Sequence, residues 1–188
     1  MMISISNRRR ASLAGILIIV AYSMLAYSIT KNITLGVITD IISGFAVIGI
    51  ALLMFPIFKA DNNKKMNYAY VISKFIEGIL MIIGGLIILN PALESYREII
   101  YKDIHIYFFI AGALFFYILL YQIRIIPRFI SIWGIVATII LFTVTMTRLL
   151  GFNLSVLDFL LIPMILNELF LAAWLIIKGF NFEKIYKK

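Results

Sequence analysis

The chain has 188 residues, 63% of them hydrophobic and 14% charged, with a mean hydropathy of +1.06 and a net charge of +8. Soluble domains sit near ~45–50% apolar and ~25% charged, so this composition excludes an ordinary globular domain and points to the membrane class. The absence of cysteine and the single histidine exclude disulfides, thiolate chemistry, sulfur-bound metal centres and bis-histidine haem within the chain.

A helix that crosses the bilayer core needs ~20 apolar residues. Six runs meet this requirement, at 11–29, 37–58, 68–89, 104–121, 126–148 and 156–177. The fold class is therefore all-α: a polytopic membrane protein whose residues 1–188 form a single bundle of six transmembrane helices. The first run follows Arg8, Arg9 and Arg10; it exceeds the ~7–15 residues of a signal-peptide core and is read as a retained first helix. The longest connection, 90–103, carries Glu94, Arg97, Glu98, Lys102 and Asp103 at three- and four-residue spacings. That pattern suits a solvated surface helix or an extension of the fourth span.

The lysines and arginines gather at the ends of the apolar runs, which argues against nucleic acid as a partner and for contact with anionic headgroups. Twelve of them, including Arg124, Arg128, Lys184, Lys187 and Lys188, share the side of both termini; four (Lys31, Arg97, Lys102, Arg148) take the other. The bias predicts cytoplasmic N- and C-termini. Abundant Ile and Lys with little Ala suggest an AT-rich prokaryotic genome, hence a prokaryotic plasma membrane. Arg124 and Arg128, flanking Pro127 in a short loop, are expected at headgroup level as lipid-phosphate contacts.

The remaining basic residue, Lys74, lies inside the third run with Glu77. With a rise of ~1.5 Å per residue, Lys74 falls roughly 10 Å and Glu77 roughly 15 Å below the cytoplasmic face. Glu168 in the sixth run, beside Asn167, reaches roughly the same depth as Glu77. A charge facing lipid at the bilayer centre costs at least ~2.5–3.5 kcal/mol, so these groups are expected to meet in the bundle interior. Lys74 would pair with Glu77 at i,i+3 or with Glu168 across the bundle, or one carboxyl would stay protonated away from water. Lys74, Glu77, Asn167 and Glu168 are the candidate ligand- or ion-binding residues. Pro163 is expected to kink the last helix and free a carbonyl near Phe159 for the same site.

Other polar positions read as structural. Asp40 and Asp158 suit helix N-termini, His105 a solvated interfacial tip, and Arg148 a snorkelling helix end. No glycine-rich nucleotide loop, HExxH or GxSxG is present, and the helix pairs show no convincing internal repeat. No catalytic residue, metal or cofactor is expected. Two function classes stay open. One is binding or transport of a small ligand, proton or lipid headgroup at the midplane cluster. The other is an accessory subunit acting through another membrane protein, the cluster then fixing helix register. A lipid-modifying enzyme is a third reading: two carboxylates suit acid–base work, but no nucleophile, metal set or phosphate cradle accompanies them.

Several motifs together resemble a family of small prokaryotic six-helix membrane proteins whose domain has no known function. They are R-x-A-x-x-x-G through Arg9, Ala11 and Gly15, the KFIEG of the third run, and P-R-x-x-S-x-W-G through Pro127, Arg128, Ser131, Trp133 and Gly134. The last is P-x-x-x-N-E followed by W-L-x-x-K-G-F, through Pro163, Asn167, Glu168, Trp174, Lys178, Gly179 and Phe180. Lys74 stands where the family pattern has arginine, and the first connection is unusually short. The resemblance implies the fold and topology and carries no activity.

Overall fold

A computed structural model describes residues 6–59, 63–152 and 156–181. Lys184, Lys187 and Lys188 lie outside the described residues, as do 60–62 and 153–155 of two of the connections. The helices are α1 (Asn7–Ala21), α2 (Leu25–Thr30), α3 (Ile33–Met54), α4 (Lys64–Ile87), α5 (Glu94–Ile99), α6 (Ile106–Ile123), α7 (Arg128–Leu149), α8 (Val156–Phe159) and α9 (Ile162–Ile177). Six stretches among them are long and apolar enough to cross a membrane.

The first span is α1 and α2 joined through a 3₁₀ turn at Tyr22–Met24. Lys31 then takes a left-handed conformation (φ 56°), and the Asn32 side chain accepts from the Leu35 N–H at 3.0 Å to start α3. Two residues thus reverse the chain. Arg124 ends α6 in the same left-handed way (φ 63°), and α7 begins directly after Pro127, whose fixed φ suits a helix start. Helices α3 and α4 begin about four residues earlier than hydropathy predicts, at Ile33 and Lys64. Hydropathy marks where the hydrocarbon begins, whereas backbone hydrogen bonding continues into the headgroup layer.

Each span packs on its chain neighbours, and α9 returns to pack on α1, so the six spans close into a ring. The ring's two ends differ. At the proximal end, where α1 begins and α9 ends, the Arg8 guanidinium donates to the carbonyls of Ile176 (3.0 Å) and Ile177 (2.8 Å). There too the Asn181 N–H donates to the Ile125 carbonyl at 2.8 Å. The proximal half is solid. Phe58, Tyr70, Phe116 and Tyr117 are buried with ring centroids 5.4–5.8 Å apart, and Met54, Leu120 and Leu171 fill around them.

Large apolar side chains such as Phe45, Leu52 and Ile72 face outward, as a lipid-embedded bundle requires. In lipid the hydrophobic effect does not draw helices together; close backbone packing and polar pairs must do so. Gly44 and Gly78 provide the closest case. A Cβ on either would sit 2.5–2.6 Å from the other's carbonyl oxygen, so α3 and α4 touch backbone to backbone there.

Candidate functional site

The distal half of the ring is hollow. A cavity of about 640 Å³ receives side chains from all six spans. Its wall is largely aliphatic, with Ile18, Val47, Ile50, Met81, Leu141 and Met164, while the exposed Lys102 and Leu149 and the half-buried Arg148 stand at its rim. Where it meets the proximal half it is lined by Lys74 and Glu77 from α4, Glu168 from α9 and Tyr22 from the 3₁₀ turn of the first span, with Tyr101 and His105 nearer the distal end.

Lys74 donates to Glu77 Oε2 at 2.8 Å, one turn along α4, and both side chains are buried. The lysine stem runs over Gly112 of α6, where a Cβ would come within 3.0 Å of Lys74 Cε, and its ammonium lies 4.9 Å from the Phe109 ring centre. Glu168 faces this pair across the ring. It accepts from the Tyr22 hydroxyl at 2.6 Å and feels the charges of Lys74 and Glu77. Of the two pairings open to Lys74, the structure makes the one within α4. The four ion pairs among the described residues do not include Glu168.

Asn167 points elsewhere. Its amide donates to the Ile130 carbonyl of α7 at 3.0 Å, and it does not line the cavity. Adjacent helical residues project ~100° apart, so Asn167 and Glu168 cannot share a face. Asn167 is a clamp between α9 and α7. Pro163 does not kink a continuous helix either. The last span is interrupted at Leu160 and Leu161, and Pro163 falls in the first turn of α9, where a missing N–H breaks no intrahelical bond. The interruption brings Leu161, Met164 and Ile165 to the cavity wall. Arg124 and Arg128 are exposed at the proximal end, Arg128 lying 5.0 Å from the Tyr121 ring centre.

The residues read as structural include the most tightly bound pair of the distal half. Asp40 is fully buried, and Arg97 grips it with Nε and Nη2 at 2.8–3.1 Å. Of the two readings of the connection 90–103, the structure makes the extension of the fourth span: α5 and a π-helical turn at Ile100–His105 run directly into α6 and turn Arg97, Tyr101 and His105 inward. Only its outward face, with the exposed Lys102–Glu98 pair at 3.0 Å, fits a solvated surface helix. Arg97 lies between the rings of Tyr27 (4.7 Å) and Tyr101 (4.5 Å), and the Tyr27 hydroxyl bonds Glu94. His105 is buried instead of solvated; its ring meets Tyr101 at a tilt (5.1 Å) and stacks on Phe109 (6.4 Å). A continuous column thus joins the Asp40–Arg97 pair, through Tyr101, His105 and Phe109, to Lys74. Arg148 reaches Asp158, closing one side of the rim. Among the described residues no three His, Cys, Asp or Glu side chains are placed to hold a metal ion.

The domain of unknown function DUF4386 matches residues 20–179, nearly the whole chain, and the chain belongs to this family. No curated protein and no solved structure matches it significantly.

Proposed function

We propose that this DUF4386 member binds a small, largely apolar molecule in its distal cavity, with the ligand's polar end at Lys74, Glu77 and Glu168. The observation that carries this reading is the cavity itself. A register-fixing salt bridge needs no space, yet here about 640 Å³ adjoins the charged groups, within the ~300–1,000 Å³ of small-molecule sites. Aliphatic walls with a few convergent polar groups at one end match the usual division between affinity and orientation. The cytoplasmic placement of the termini belongs to the same proposal; the cavity then opens to the outer face. The exposed Arg124 and Arg128 would meet lipid phosphates at the inner face. Loss of retained anionic lipid on Arg124→Gln with Arg128→Gln checks that contact.

The test is native mass spectrometry of the protein released from detergent, paired with a variant that fills the cavity. Thr145 lines the wall away from the charged groups, so Thr145→Trp should leave the fold intact and remove space. A small-molecule adduct present on the wild type and absent from Thr145→Trp is the expected result. An adduct that persists in the filled variant would place binding elsewhere and end this reading.

A further inference from the structure

The charges at the floor of the cavity do not balance. Lys74 is committed to Glu77, which leaves Glu168 as a second carboxylate with one hydroxyl donor and no cation within ion-pair distance. The Tyr22 bond occupies one carboxylate oxygen, Oε2. A second group in the same cavity is also unfinished: His105 is 5% exposed, and its buried Nε2 has no hydrogen-bond partner. The two carboxylates make the floor a set of acceptors, and its one ammonium is already paired. At the rim, Lys102 pairs with Glu98 and Arg148 with Asp158, so those cations are engaged as well.

From this imbalance we infer the chemical class of the ligand: a monocationic amphiphile, a protonated amine on an apolar body. The ammonium sits against Glu168 and the Tyr22 oxygen, and the body lies along the aliphatic wall of Ile50, Met81, Leu141 and Met164. An ammonium has three donors and no acceptor, which complements the Glu168 carboxylate and the Tyr22 phenol oxygen together. It would turn an isolated carboxylate at membrane depth into a charge-assisted pair. An anionic amphiphile would add a third negative charge beside Glu77 and Glu168, with no unpaired cation among the lining groups described above to receive it. A neutral alcohol would leave the charge at Glu168 uncompensated. This inference rests on the reading of the cavity as a ligand site and adds the identity of the head group.

Three water-soluble probes of one chain length separate the two claims: hexylamine, hexanol and hexanoate. Each is titrated at neutral pH into the full-length protein in detergent, with thermal stabilisation read from the fluorescence of Trp133 and Trp174. Hexylamine is expected to bind at least about tenfold more tightly than hexanol, with no saturable effect of hexanoate. In Glu168→Gln the preference for amine over alcohol should disappear while hexanol binding persists, which also shows that the variant is folded. Equal binding of amine and alcohol to the wild type, or a preference unchanged in Glu168→Gln, overturns the head-group assignment and leaves the cavity reading standing. Failure of all three probes to stabilise the wild type removes both.

Discussion

Breaking the Asp40–Arg97 pair should destabilise the protein far more than removing it whole. Arg97→Met strands a carboxylate that is 0% exposed, and Asp40→Asn strands a guanidinium that is 7% exposed. The pair makes three contacts of 2.8–3.1 Å, but their gross strength does not set the loss. What sets it is the charge left behind without solvent, which costs ~3–5 kcal/mol. For a chain of this length ~1 kcal/mol moves Tm by ~2–4 °C, so each single substitution should lower Tm by roughly 6–20 °C. The combination Asp40→Leu with Arg97→Met replaces both charges by apolar groups. Methionine can still lie between the rings of Tyr27 and Tyr101. Such replacements are often neutral, so the combined variant should recover most of the loss. Thermal unfolding in detergent, followed by circular dichroism, measures all four proteins. Single losses under ~1 kcal/mol, or losses that simply add in the combination, would refute the argument that these charges are buried against each other.

Three further outcomes are expected. Lys74→Met should lower Tm, and Glu77→Gln should restore it when combined, whereas Glu168→Gln should not, because the short contact is within α4; thermal unfolding of the variants decides. Gly44→Ala should cost ~1–3 kcal/mol by pushing α3 off the Gly78 carbonyl. Gly49→Ala, whose Cβ meets only a Leu17 methyl at 3.0 Å, should be near neutral in the same assay. In a chain without cysteine, Ser6→Cys and Lys178→Cys should be shielded from an impermeant maleimide in intact cells while Lys102→Cys reacts. The opposite pattern reverses the orientation.

The six spans were readable because long apolar runs leave no other solution in lipid. The Lys74–Glu77 pair was readable because ionisable residues within such runs must find each other. The Asp40–Arg97 pair was not. Arg97 sits in a connection whose alternating charges look solvated, and only the tertiary structure turns it inward. Gly85 leaves room for the Asp40 Cβ (2.7 Å), and Gly84 leaves room for the Tyr101 ring (2.5 Å), so both side chains can lie against α4. His105 was misplaced for the same reason, since its burial follows from the inward course of Ile100–His105. Asn167 is a different case: its divergence from Glu168 follows from helical periodicity alone and was legible all along.

The central claim is that a solvent-reachable cavity descends to the charged groups at the middle of the bundle. Phe109 lies beside Lys74 on the cavity wall and is half-buried, whereas Met54 is fully buried in the solid half. Phe109→Cys should react with a small charged methanethiosulfonate reagent in the folded protein, while Met54→Cys stays inert until the protein is unfolded. If Phe109→Cys is as inert as Met54→Cys in the folded state, the distal half is closed to solvent and the account fails.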